Sequence, residues 1–431
     1  MTGTGTSSDP YVIYNVQDLQ DVNNHLSAYY VLANDIDCSG FNFVPIGEFT
    51  GNFDGNGHTI KNLTIQGNGN QAFFGTVNNA IIKNVTFENP IIISNAESNG
   101  YAAVLAVSSI NSTIQNINVN NAQLSSDNGG GGLFSTFKVT FTHETIANNC
   151  NFNGTCNVTI AGSLGGFARY IDNQQGGTMK ISCCNTELIT PDCTNVRNYS
   201  YSGGFVGYMN VSNYTKITDC SSNVNLNRCY FRITPDAESE YMGGFAGYCY
   251  FASNANDEPI LERCFSTGYL GGYNYIGGFM GSLRLFGGGS GDPIKDCYSS
   301  ASIDSPHIDN YFSIGGFLGS VYQGDIILKN CYSIGKTGWD WKEGSRKYSE
   351  YGGFIGSSAM IPCESCYWDK EASGATSSYG DGVQGKTTAE MQQKSTFIGW
   401  CDKVWKFIAN HYPTLINQCK KFINMGFFKY F

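Results

Sequence analysis

Glycines, cysteines, a few carboxylates and histidines, and tyrosines are the residues of this chain that could do chemistry. The octapeptide YIGGFMGS at 275–282 has the glycine spacing that lets a backbone close on a phosphate. A phosphate loop occurs once, between a strand and a helix, whereas this phrase recurs. SLGGFARY (163–170), YSGGFVGY (201–208), YMGGFAGY (241–248), SIGGFLGS (313–320) and EYGGFIGS (350–357) repeat it, with weaker copies QAFFGT (71–76), YAAVLAV (101–107) and GGLFST (131–136). The residue at the marker position is Phe73, Val104, Leu133, Phe167, Phe205, Phe245, Phe279, Phe317 and Phe354, at steps of 29 to 40 residues. Nine copies at a nearly fixed period mark a repeat architecture, and the nucleotide reading falls.

Sixteen cysteines offer a second chemistry. Seven lie in another recurring phrase, seen as IKNVTFEN, IQNINVNN, ANNCNFNG, ITDCSSNV and LKNCYSIG among others. Its fourth residue is Val85, Ile117, Cys150, Cys184, Cys220, Cys264, Cys297, Cys331 and Cys366, at steps of 32 to 44 residues. Since Val and Ile hold the position first, it is an inward site for a small apolar residue, which a free cysteine fills. Stacked at about 4.8 Å per coil, the seven are too uniform for specific pairing, so a reduced core ladder is expected. Elsewhere, Cys401 with Cys419, or Cys363 with Cys366, could form disulfides. No CxxC pair has a partner at zinc-ribbon spacing, and HETIA (143–147) lacks the second histidine of a zinc peptidase. Asp35 and Asp37 in DIDCSG, and Asp54 and Asn56 in DGNGH, lack the spacing of a calcium loop and read as turns. A glycosidase needs two carboxyls about 5–10 Å apart. Acidic residues here recur from coil to coil only at turn positions such as Asp219 and Asp296. No catalytic residue, cofactor or metal ligand is therefore assigned.

Tyrosines give the one surface pattern. Tyr201, Tyr241 and Tyr275 stand two places before the glycine pair, and Tyr170, Tyr208 and Tyr248 close the same phrase. Stacked coils would turn each set into a column that could hold a sugar or support the stack itself. Eight N-x-S/T sequons (Asn62, Asn84, Asn111, Asn153, Asn157, Asn198, Asn210, Asn213) fall in the first half.

The elements that must position these residues are short strands. The two markers keep step, and a third segment such as SSNVNLN alternates apolar and polar residues. Three short strands per period, joined by Gly-, Asn- and Asp-rich turns, specify an all-β fold: a parallel, right-handed β-helix solenoid of about nine coils. A propeller would need four strands per blade and a longer period. Val16, Leu19, Val22 and Leu26 predict a short N-terminal cap helix, and Thr387 with Glu390 predicts a capping box in an α-helical and irregular C-terminal cap. The apolar residues of 397–415 are expected to cover the last coil. The expected divisions are 1–60 (cap and first strands), 61–370 (repeats) and 371–431 (C-terminal cap). The longest step, 220–264, places FRITPDAESEY and FASNANDEP in loops leaving the rod. The apolar tail FINMGFFKYF reads as a docked end.

Charged residues are 14% of the chain and the formal charge is −10, without a Lys/Arg cluster, which argues against nucleic acid as a partner. No apolar run reaches the roughly 18 residues of a transmembrane helix. The start shows no secretory signal.

With both phrases in view, the chain resembles the GLUG-motif repeat proteins, a bacterial-type family of surface and adhesin-like β-helices named for a glycine-rich GGFxG repeat. The opening GTSSDPYVIYNVQDLQDV, YVLANDIDCSG and VPIGEFTGNFDGNGHTIKNLTI is similar to the start of such regions, and CYWDKEASG through GKTTAEMQ to HYPTL resembles their close. The cysteine ladder departs from the pattern, since those repeats often carry an aliphatic residue there. Some IgA-cleaving zinc peptidases carry these repeats; the resemblance would make this chain their non-catalytic part. It implies a non-enzymatic extracellular or cell-surface stalk or adhesin-like module that binds a protein or glycan, or itself, through its flank or loops. The alternatives are a polysaccharide-processing β-helix enzyme or its substrate-binding part, and a structural component of a virion or filament.

Overall fold

Successive turns of the chain stack in register as a parallel β-helix. The computed structural model describes all residues except 96–98, 159–161, 175, 192–200, 213, 227–239, 253–259, 273, 287–290, 306–311, 323–325, 338–348, 359–360, 417–418 and 420–431. Three parallel sheets of 24, 10 and 7 strands form the walls. One coil runs through Thr215–Thr218, a corner at Asp219, Ser221–Leu226, Tyr241–Gly243, a bend at Gly244 and Phe245, and Ala246–Ala252. That is four short strands, not the three expected from the period. The glycine phrase is itself a bend with a strand on each side. In the early coils the corner is absorbed into single long strands, Ile81–Glu88, Thr113–Ser126 and Glu144–Val158.

The glycines are required by close backbone approach. A Cβ on Gly243, Gly277 or Gly315 would strike the carbonyl three residues on, at Ala246, Met280 or Leu318, because the bend is tight. A Cβ on Gly204, Gly244 or Gly278 would strike the carbonyl of the equivalent glycine one coil further on. The pair thus makes the bend and lets the coils close up. Behind it, Phe167, Phe205, Phe245, Phe279, Phe317 and Phe354 form a fully buried face-to-face stack, with centroids 4.6 to 5.0 Å apart.

The opposite corner is equally regular. Asn84, Asn116, Asn149, Cys183, Asp219, Arg263, Asp296, Asn330 and Ser365 all take φ between 51° and 57°, a left-handed conformation that asparagine tolerates best among residues with a side chain. Their side chains form ladders. Asn149 donates to Asn116 (2.9 Å), Asn116 to Asn84 (2.8 Å) and Asn84 to the Asp54 carboxylate (3.0 Å). A parallel ladder, Asn121 to Asn89 to Asn62, ends on Asp37. The Asp37 and Asp54 segments are accordingly turns: Asp37 accepts from the Ser39 N–H and Asp54 from the Asn56 N–H.

Both caps begin as the sequence predicts. Asn15 caps a helix at Val16–Gln20 that continues as a 3-10 turn, burying Leu19 and Val22. Thr387 and Glu390 form the capping box of Thr388–Met391. Residues 397–415, however, do not lie over the last coil. They descend along the flank, where Phe397, Trp400 and Trp405 pack with Tyr298, Tyr332 and Tyr367. The end of the last coil is met instead by 377–386, through the pairing of Gln384–Lys386 with Tyr367–Asp369 and through the Gly353 and Ile355 N–H groups, which donate to the Ser377 carbonyl and the Ser378 hydroxyl. The tail 422–431 and most of the two long loops lie outside the described residues.

Candidate functional site

The cysteine phrase supplies the inward column. Val85, Ile117 and Cys150 are register partners, and the residues after the later markers pair in turn: Asn151 with Asn185, then Ser221, Phe265, Tyr298, Tyr332 and Tyr367. All seven cysteines from Cys150 to Cys366 are fully buried and free. Each donates its S–H to the carbonyl two residues back, at 3.2 to 3.5 Å, and lies 3.4 to 4.0 Å from a carbonyl of a preceding coil. Valine fills the volume but cannot make these bonds. Burial pushes the thiols of Cys150, Cys220, Cys297 and Cys331 well up. Against the same burial, hydrogen bonds from neighbouring thiols hold Cys184, Cys264 and Cys366 down instead. What closes the column to nucleophilic chemistry is that all seven sulfurs are enclosed.

The tyrosine phrase supplies a flank. Tyr201, Tyr241 and Tyr275 stack at 5.6 and 4.9 Å, and Tyr170, Tyr208 and Tyr248 at 5.2 and 5.4 Å. The two columns touch, Tyr201 with Tyr208 at 5.0 Å and Tyr241 with Tyr248 at 5.0 Å, and Tyr322 adds an edge contact to Tyr275. Tyr322 lies outside the repeated phrase, so no spacing signal marks it. All four within-column pairs tilt by 6° to 33°, so ring faces that could receive a sugar are turned towards one another. The columns present hydroxyl rims instead. Partial burial and neighbouring phenols push Tyr208 well up, so its hydroxyl is a neutral donor. Arg284 bonds Tyr248, and Asn210 and Gln174 bond Tyr170.

The two recurring turn carboxylates do structural work. Asp219 takes both Nε and Nη2 of Arg263 at 2.8 Å. Asp296, nearly buried, accepts from Asn330 and from the Trp405 indole at 3.0 Å each. Among the described residues no group of three or more His, Cys, Asp or Glu could hold a metal ion. His143 sits in a turn, its Nδ1 2.7 Å from the Phe141 carbonyl. Of the sequons, Asn62, Asn84, Asn111 and Asn153 spend their amides on neighbours, Asn210 is buried, Asn157 is exposed, and Asn198 and Asn213 lie outside the described residues.

The expected disulfides are replaced by another. Cys419 bonds Cys183, 236 residues away, with Cα atoms 5.6 Å apart. Cys401 is free and exposed, and Cys363 and Cys366 are free and buried. The reason lies in the path of the C-terminal strap, residues 394–416 and Cys419. The Trp400 indole donates to the Ser365 carbonyl (3.1 Å), the Trp405 indole to Asp296, and the Tyr332 hydroxyl to the Pro413 carbonyl (2.6 Å). The strap therefore runs back down the column of left-handed corners until Cys419 reaches Cys183. Cys401 stays near the upper coils, away from Cys419. The sequence holds one trace of this: Cys183 occupies a corner that Asn fills in the three preceding coils.

No family model matches the chain. Halomucin of Haloquadratum walsbyi is 33% identical over 157 residues, 31% of this chain but 2% of halomucin, so the chain spans a very small part of that relative. A crystal structure from Bacteroides ovatus, provisionally assigned as an immunoglobulin A1 protease, aligns with 96% of this chain and 94% of its own at 18% identity and a TM-score of 0.40.

Proposed function

We propose that the chain is a rigid, non-catalytic β-helical module of the GLUG-repeat kind, a stalk or adhesin-like segment of an extracellular or surface protein. The observation that carries this reading is the continuity of its ladders. The phenylalanine stack and the cysteine column each run unbroken through many coils, and the left-handed corner recurs beside them from Asn84 to Ser365, a construction suited to holding shape along an axis. A disulfide at a surface corner, with eleven of the twelve described free cysteines buried, suits an oxidising surrounding. The likeness to a short stretch of halomucin supports a module set within a longer protein. A protein or glycan partner would meet the hydroxyl rims of the tyrosine flank.

An antibody against the rod should label intact producing cells as strongly as lysed ones. Labelling only after lysis would replace this reading with that of an internal filament or virion component. Release of reducing ends from a polysaccharide panel by the purified chain would replace it with a carbohydrate-active enzyme.

A further inference from the structure

We infer that the C-terminal strap is a redox latch: Cys183–Cys419 pins the strap over an aromatic strip of the rod, and reduction of that bond lets the strap lift and bare the strip. Three observations converge on this. First, the strap is fixed at both ends by different means. At its base, Met391 is buried in the aromatic cluster and Gln384–Lys386 pairs with Tyr367–Asp369. At its far end the disulfide joins it to a coil reached 236 residues earlier. Second, what it covers is apolar. Tyr298, Tyr332 and Tyr367 are register partners in successive coils, pack in one cluster with Phe397, Trp400 and Trp405, and are 8%, 1% and 2% exposed with the strap in place. Third, the latch cysteine stands where the coil does not call for one. The corner at 183 is left-handed at φ 55°, a position where asparagine serves the three coils before it and continues their ladder. A cysteine there forgoes the amide ladder and gains the bond to the strap.

The polar contacts that hold the strap to the rod include the two indole N–H bonds, the Tyr332 hydroxyl on Pro413, the Ser365 hydroxyl on the Ile398 carbonyl and the Tyr412 hydroxyl on Asp369. A two-residue antiparallel bridge, Trp405–Lys406 with Thr414–Leu415, gives it little internal structure. With the covalent anchor gone, only such polar contacts and the buried Phe397, Trp400 and Trp405 hold the strap, so its local opening equilibrium should shift towards the lifted form. Opening is ordinary thiol–disulfide exchange. A small dithiol attacks, supplies two electrons and two protons, and leaves as its own cyclic disulfide, while Cys183 and Cys419 become thiols. The buried thiol column takes no part, since its members are enclosed.

The test uses the full-length chain. Peptide mapping without reductant should first recover Cys183 linked to Cys419. Hydrogen exchange is then followed with and without a dithiol. Amides of 404–416 should exchange at least about tenfold faster after reduction, while those of Val206–Ser212 and Ala246–Ala252 should not change. Cys419→Ser should show fast strap exchange under both conditions. Cys183→Asn, which restores the residue type of the neighbouring corners and so preserves the coil, should do the same and raise binding of a hydrophobic dye. Strap exchange that is equally slow in the oxidised, reduced and Cys183→Asn forms would overturn the latch, as would recovery of Cys419 linked to any other cysteine. Faster exchange of the rod strands alongside the strap would also overturn it, by showing the disulfide to be a general staple.

Discussion

Cysteine and asparagine hold their columns for different reasons, and single substitutions separate them. At Cys297, valine keeps the volume and loses only weak S–H bonds, so Cys297→Val should cost less than about 1.5 kcal/mol, read from a denaturant midpoint. Cys297→Asp buries an unpaired charge between coils and should leave no folded transition. In native alkylation Cys401 alone of the described free cysteines should label; labelling of Cys264 or Cys297 without denaturant would contradict the closed column. At the other corner, the amide ladder hangs on Asp54. Burial raises its pKa, but the Asn56 N–H, the Asn84 amide and the Lys83 ammonium outweigh that, and the net direction is down. A carboxylate with a depressed folded pKa contributes stability that is present above its unfolded value and lost as pH falls through the folded one. The ladder Asp54–Asn84–Asn116–Asn149 should therefore loosen below about pH 4. Asp54→Asn should remove that part of the acid response, which thermal melts at pH 3 and pH 7 would reveal.

At the scale of the strand and bend, the two kinds of glycine should respond unlike one another. Gly244→Ala drives a Cβ into the Gly278 carbonyl of the next coil, with no flexible atom to yield. It should destabilise by more than about 3 kcal/mol or prevent folding. Gly69→Ala meets nothing within 4 Å and pays only for its φ of 71°, about 1–2 kcal/mol. Comparable losses at both sites would refute the inter-coil role of the pair. Such positions were legible in the sequence because each coil must repeat the same close contact, so period and residue type carried the information. The columns of Phe205 and Cys220 and the tyrosine pairs were readable on that ground, and the capping box at Thr387 from its local Thr-x-x-Glu spacing. The fourth strand was hidden because Tyr241–Gly243 has too few residues to show an alternating pattern. Tyr322 and the route of the strap were hidden for another reason: they depend on single, unrepeated contacts, such as the Trp405 indole on Asp296, which no periodicity announces.

Over the whole molecule, coils are added in register and the two markers never drift apart, so the rod can vary its loops without changing its walls. The disulfide interrupts that simple linear order. It has a mechanical meaning for a chain held at both termini. Tension entering at the C-terminal end passes from Cys419 straight to Cys183, and the segment between them, a sequence separation of 236, carries no load. Pulled at its ends in an optical trap, the oxidised protein should extend only through the coils before Cys183. Adding a dithiol should release a further length of about 80 nm, the extended span of the shielded segment. The oxidised chain would thus behave as a short, stiff tether, with its reserve of length kept out of the path of force until the sulfur bond is cut.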